Sequence, residues 1–223
     1  MLLKLDDISY KYNKNTPTII DGVSYEFERG KLYAVMGESG SGKTTLISII
    51  AALDKPTHGS IYLDDVDISK ADSDLYRAKK VSVIFQSYNL LYNYTAIDNI
   101  TTALNLSDYK GNYTDRVNTI FDEVGIPTEK RNNVVQFLSG GEQQRIAIAR
   151  SLATDSDIIL ADEPTGNLDK SNSENIMSIF KNLVQKYNKC VIIVTHSNEI
   201  ADYADCVLYI RNGKISDDSL GFK

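Results

Sequence analysis

Apolar and polar residues alternate through LLKLDDISYKY (2–12) and GVSYEFE (22–28), the period-two pattern of antiparallel strands with one buried face. KLYAVMG (31–37) departs from it. This run is almost continuously apolar and ends in glycine, as a central strand buried on both faces does. A helix is predicted from Lys43 to about Leu53, stopped by Asp54-Lys55-Pro56. SIYLDD (60–65) and VSVIFQ (81–86) predict two further strands.

Between Ser87 and Phe137 the strand signal fades. TAIDNITTALNL (95–106) and TDRVNTIFDEVG (114–125) read as helices, and Val117, Ile120, Phe121 and Val124 fall at i, i+3, i+4, i+7. With a further helix over about Gly140–Ala153, they predict a helical subdomain at about 87–153, inserted between two halves of a sheet domain. The strand–helix alternation then returns. DIILADE (157–163) and CVIIVT (190–195) are buried strands. SENIMSIFKNLVQKY (173–187) is a helix with Ile176, Ile179, Phe180 and Leu183 on one face, and VLYIRNGKI (207–215) is a hairpin over Asn212-Gly213. The expected fold is one α/β domain over 1–223: a mostly parallel central sheet, an N-terminal antiparallel β subdomain and the inserted helices.

Composition narrows the partners. The 223 residues are 42% hydrophobic and 24% charged, ordinary for a chain that buries a core. The net charge of −6 argues against a nucleic-acid partner, since phosphate binding favours a basic excess. Cys190 and Cys206 each sit in an apolar run and are expected to be buried core thiols, not a disulfide or a metal pair. With acidic residues from Asp6 onward no signal peptide is expected, and no apolar run approaches the ~18 residues of a spanning helix. A cytosolic location is expected, or a peripheral one held by a partner.

The candidate chemistry begins at GESGSGKT. Gly37, Gly42, Lys43 and Thr44 match G-x-x-x-x-G-K-[ST], between a predicted strand and a predicted helix. This predicts a P-loop NTPase. The amides of Gly37, Glu38, Ser39, Gly40, Ser41 and Gly42 wrap a phosphate chain, and the helix that continues through Thr45 adds its positive end. Lys43 is expected to bridge β- and γ-phosphate oxygens, and the Thr44 hydroxyl to ligate Mg²⁺. A flexible glycine turn is the bland alternative.

DIILADEP sets Asp162 and Glu163 at the C-terminal end of a buried strand, the edge where open parallel sheets bind ligands. Asp162 is expected to hold Mg²⁺. Glu163, one residue on, is placed to orient and deprotonate an attacking water. Gln86 ends VSVIFQ and His196 follows CVIIVT. Each is a weak signal alone. Together, four apolar strands end in Gly37, Gln86, Asp162 and His196, one site-compatible residue each.

A second Gly-Gly turn, LSGGEQQR (138–145), opens another predicted helix. It resembles the signature motif of the ABC-type ATPases, the ATP-binding cassettes. The rest of the chain follows that family's order: Tyr12, GESGSGKT, Phe85-Gln86, LSGGE, ILADEP, GNLD at Gly166–Asp169, and Thr195-His196. The resemblance implies ATP and Mg²⁺ as ligands, and a homodimer packed head to tail. Ser139, Gly140 and Gly141 of one chain would then cap the nucleotide held by the other. It further implies that Tyr12, with Tyr10 as its competitor, stacks on adenine, that Gln86 is both a Mg²⁺ ligand and the link to the helical subdomain and the membrane partner, that His196 contacts the γ-phosphate, and that Asp169 lies at the dimer seam. Glu142 stands where the family often has glutamine. IIAALDKPTHGSIYLDD, VIFQSYNLLYNYTAIDNI and ILADEPTGNLD resemble the branch of macrolide-exporter, lipoprotein-releasing, cell-division and antimicrobial-peptide-exporter cassettes. That branch implies a peripheral place on the cytoplasmic face of the membrane. It also implies a separate integral-membrane permease subunit driven in export or mechanotransmission. Regulation of a cell-wall hydrolase through a membrane partner, or uptake, are the alternatives. A chromosome-structure ATPase would need a coiled-coil insertion that is not in the sequence.

Overall fold

The structure, a computed structural model, describes residues 2–13 and 15–217. Strands β1 (Leu3–Tyr10), β2 (Ile20–Phe27), β4 (His58–Leu63) and β5 (Val66–Asp67) form an antiparallel sheet in the order β2-β1-β4-β5. A second, six-stranded sheet runs β10-β9-β3-β8-β7-β6. Its members are β3 (Leu32–Met36), β6 (Val81–Ile84), β7 (Ile158–Asp162), β8 (Cys190–Thr195), β9 (Cys206–Arg211) and β10 (Lys214–Ser216). All but β10 are parallel, and β9–β10 is the hairpin over Asn212-Gly213.

The continuous apolar runs of the central strands have a simple cause: both faces are covered. In β8, Val191 and Ile193 face one core while Cys190, Ile192 and Val194 face the other. In β7, Ile159 and Ala161 divide from Ile158 and Leu160 in the same way. One core lies under α1 (Lys43–Ile50) and the antiparallel sheet. The other lies under α6 (Lys170–Tyr187) and the helices between β6 and β7: α3 (Ala96–Leu106), α4 (Tyr113–Glu123) and α5 (Gly140–Ala153). Ile100, Ile120, Phe121 and Ile146 of those helices share a continuous apolar cluster with Phe180 and Val191. Two short helices, α2 (Ser73–Lys79) and α7 (Asn198–Ala201), complete the fold.

Several boundaries differ from those predicted. α1 ends at Ile50, not near Leu53. Ala52 turns left-handed (φ 53°), and the amides of Ala52 and Leu53 bond back to the carbonyls of Ile49 and Ser48. This is a Schellman stop made without glycine. Asp64-Asp65 does not extend β4. Both residues take positive φ (45° and 67°) and turn the chain into β5. α6 begins three residues early because Asp169 caps it, its carboxylate accepting the Asn172 amide at 2.8 Å. Cys190 is buried, its pKa pushed up to about 12 by desolvation, but Cys206, at the start of β9, is only half-buried.

The exposed end of α4 gives one stability test. The Asn112 side chain caps it by accepting the Asp115 amide at 3.2 Å. Asn112→Ala is expected to cost about 1 kcal/mol and to lower the melting temperature by roughly 2–4 °C, as read by thermal denaturation.

Candidate nucleotide site

Parallel strands bring their C-terminal ends to one edge of the sheet. In the order β3-β8-β7-β6, that edge presents the Gly37 loop, then His196, then Asp162-Glu163, then Gln86. An open cleft of about 690 Å³ lies over it, and Tyr12, Ser39, Gly40, Gly42, Lys43, Thr44, Thr45, Gln86, Asp162, Glu163 and His196 line it. Ile19, which carries no sequence signal, completes the wall. Glu38 and Ser41 line the adjoining hollow, which Ser39 and Gly40 share.

The loop is shaped by positions where only glycine fits. A Cβ on Gly37 would stand 2.6 Å from both the Ile210 carbonyl and the Ser41 hydroxyl, and Gly42 enters α1 with φ 104°. Lys43 is folded into the loop and donates to the Gly37 and Glu38 carbonyls at 2.8 and 2.9 Å. The buried Ser41 hydroxyl has no hydrogen-bond partner among the described residues. A cationic amine beside a cradle of amides and one unmatched hydroxyl suits a phosphate chain. Beside it, burial lifts the Asp162 pKa and the Glu163 charge adds to this, while the hydrogen bond from Thr44 and the charge of Lys43 oppose the rise. The Thr44 hydroxyl, the Asp162 carboxylate and the Gln86 amide oxygen form a set of hard oxygen donors that suits Mg²⁺, whose charge would favour the ionised carboxylate.

Glu163 follows β7 in a left-handed conformation (φ 46°). Its carboxylate accepts from His196 Nδ1 at 2.8 Å and from the Thr195 hydroxyl at 3.2 Å. The proton on Nδ1 leaves Nε2 as an acceptor in the neutral ring, so His196 can donate to a phosphate from Nε2 only as imidazolium. Thr195 and Gly166, which the sequence gives only as the neighbour of His196 and the start of GNLD, also stand at the site. A Cβ on Gly166 would lie 3.3 Å from Gln86 Nε2. The two tyrosines separate cleanly. Tyr10 is buried and its hydroxyl bonds Asp54, whereas Tyr12 is 59% exposed at the cleft and stands edge-on to Tyr10.

Ser139, Gly140, Gly141 and Asp169 are not among the residues lining this cleft. They meet one another elsewhere. A Cβ on Gly141 would touch Asn172 Oδ1 at 2.6 Å, and Asp169 holds that asparagine through its amide and side chain. Ser139 caps α5 in a reciprocal box: its hydroxyl accepts the Glu142 amide at 3.4 Å, and Glu142 Oε2 accepts the Ser139 amide at 2.8 Å. Burial pushes the Glu142 pKa up, but the Ser139 amide and hydroxyl, Lys130 and Arg145 outweigh it and hold the carboxyl below its usual range. The Ser139 hydroxyl proton is thus engaged by Glu142 at 2.9 Å within the single chain.

Residues 20–166 match the family model described as ABC transporter. The ABC transporter ATP-binding protein YclH of Bacillus subtilis is 38% identical over 96% of this chain and 96% of its own. The lipoprotein-releasing system ATP-binding protein LolD 1 of Rhodopseudomonas palustris is 35% identical over 96% of this chain and 98% of its own. Among solved structures, the dimeric cassette MJ0796 of Methanocaldococcus jannaschii superposes with a TM-score of 0.87 at 33% identity, covering 96% of this chain and 97% of that one. The same cassette is also known as a post-hydrolysis dimer bound to ADP and Pi, with the same TM-score. Near-complete coverage by relatives of one kind, over the phosphate loop, the carboxylate pair and the signature turn alike, shows that this chain belongs to the ABC transporter family as one of its ATP-binding cassettes.

Proposed function

We propose that the cleft binds Mg-ATP and that two chains close head to tail around two nucleotides. ATP hydrolysis to ADP and phosphate is the family's reaction. The observation that carries the assignment of its parts is the convergence of four strand ends with the Lys43 loop at one sheet edge. Lys43 and the loop amides bind and orient the phosphates. Thr44, Asp162 and Gln86 would hold Mg²⁺, which supplies charge neutralisation at the β- and γ-oxygens when bound. Glu163 takes the proton of the attacking water. In the single chain His196 and Thr195 hold its carboxylate, and His196 turns toward the γ-phosphate as the site closes.

Ser139–Gly141 stand away from their own chain's cleft, which fits a cap on the partner's nucleotide. Asp169, beside them at the start of α6, would then lie at the seam. Release of the Ser139 hydroxyl from Glu142 accompanies that closure. No helix among the described residues is long and apolar enough to cross a membrane. The likeness to the lipoprotein-releasing cassette LolD 1 supports work on the cytoplasmic face through a separate integral-membrane permease subunit, in export or mechanotransmission of the lipoprotein, peptide or drug type.

Adenine stacks on Tyr12. Tyr12→Ala is expected to weaken ATP and ADP binding alike by about 1–3 kcal/mol, while Tyr10→Phe leaves it unchanged. Calorimetric titration of both variants checks this, and equal effects at the two tyrosines would count against the assignment. For the function as a whole, turnover of purified chain with Mg-ATP, compared with Mn²⁺ and with EDTA, is the direct test. Undiminished hydrolysis in EDTA would remove the metal from the reading.

A further inference from the structure

The loop that leaves β6 carries Gln86 into the cleft and then runs Ser87-Tyr88-Asn89. Tyr88 and Asn89 both have positive φ (61° and 50°). Asparagine tolerates that conformation, but tyrosine rarely adopts it. Two successive left-handed residues present their carbonyls to a single neighbour, and that neighbour is Arg150, in the last turns of α5. Its Nη1 donates to the Asn89 carbonyl at 2.6 Å and its Nη2 to the Tyr88 carbonyl at 3.2 Å. Among the described residues Arg150 forms no ion pair with a carboxylate, so these carbonyls are what engage the half-buried guanidinium.

The Tyr88 side chain points to the other end of the same helix. Its hydroxyl lies 3.5 Å from where a Cβ on Gly140 would stand. One short loop therefore engages α5 at both ends, near its last turn through Arg150 and at the signature turn through Tyr88. It begins at Gln86, whose amide rests beside Gly166 in the cleft.

We infer that Arg150 and Tyr88 are positioning residues that form a strut between the chain's own nucleotide cleft and its own signature turn. Arg150 pins the loop after Gln86 to α5, and the Tyr88 hydroxyl, beside Gly140, sets where Ser139 and Gly140 stand. This rests on the reading that Ser139 and Gly140 cap the partner's nucleotide. On that reading, the strut makes the cap offered to one site depend on what occupies the other. The Arg150 guanidinium meets the two carbonyls with separate nitrogens held in one plane, an arrangement that a lysine ammonium, one nitrogen on a flexible stem, does not reproduce.

The test uses the full chain in a Glu163→Gln background, with Tyr88→Ala and Arg150→Lys as separate additions. ADP titration reports the cleft without dimerisation, and light scattering against ATP concentration reports the cap. Both additions are expected to leave ADP affinity unchanged and to raise the ATP concentration for half-dimerisation roughly tenfold. Arg150→Lys keeps the charge and most of the bulk, so rescue by it would overturn the fork. Dimerisation at the parent's ATP concentration in both variants would overturn the strut. So would a loss of ADP affinity by the same factor as dimerisation, which a general loosening of the fold would give. A parent that stays monomeric in ATP would instead defeat the composite-site reading. The strut is then judged by hydrogen exchange at the amides of Ser139–Gln143, where faster exchange in Tyr88→Ala supports it and unchanged exchange overturns it.

Discussion

Replacing Glu163 by glutamine is expected to lower steady-state ATP turnover by about 10²–10⁴-fold, the usual loss when a general base is removed. Nucleotide binding should survive. Glu163 follows β7 with its carboxylate held between His196 and Thr195, whereas the phosphate cradle is built by the Gly37–Thr44 loop after β3. The amide of glutamine can keep the Thr195 contact, since its carbonyl still accepts, and it has nearly the same volume. It cannot take a proton from water. Single-turnover and steady-state assays with Mg-ATP, run beside ATP titration, separate the two effects. Turnover within about a factor of ten of wild type would remove Glu163 from the role of base.

Lys43→Ala acts on binding instead. Lys43 is 9% exposed, and its ammonium group already bonds the carbonyls of Gly37 and Glu38. With phosphate present it supplies the one positive charge of the Gly37–Thr44 loop. Truncating one partner of such a buried charge pair costs about 2–5 kcal/mol, which is a loss of roughly thirtyfold or more in ATP affinity. The loop carbonyls also lose a donor, so the cradle loosens. The expected result is a large loss for both ATP and ADP, with no change in melting temperature beyond a few degrees. An unchanged nucleotide titration would contradict the loop's assignment.

Much of this site is legible in the sequence for one physical reason. A strand buried on both faces has no polar positions to spare, so the first polar residue after its apolar run marks the edge of the sheet. Gln86 and Asp162 are found that way, His196 as the residue just past Thr195, and the Gly37 loop by its spacing. The topology then supplies what a linear reading cannot, namely that β3, β8, β7 and β6 are neighbours in that order. Other features leave weaker traces. Ala52 looks like a continuation of α1 because alanine favours helix, yet it takes the left-handed stop. Asp169 caps α6 seven residues ahead of Ile176, where its apolar face begins, so the hydrophobic period alone passes over it. α2 buries little beyond Tyr76, so its period is faint. Glu142 matches the S-x-x-E pattern of a capping box, and its hold on Ser139 is local enough to read from four letters. Arg150 and Tyr88 have no such trace. An arginine in IAIARSLA is an ordinary helix cation until its two carbonyl partners, some sixty residues earlier, are seen beside it.

The separation of the signature turn from its own chain's cleft makes the shared nucleotide the central claim. The most direct measurement is the solution mass of Glu163→Gln protein at saturating Mg-ATP, by light scattering, with and without an added Ser139→Glu substitution. A mass twice that of one chain in ATP but not in ADP is the predicted result, with reversion to a single chain when Ser139→Glu is added and nucleotide binding is retained. A single-chain mass in saturating ATP, or a dimer indifferent to Ser139→Glu, would contradict it.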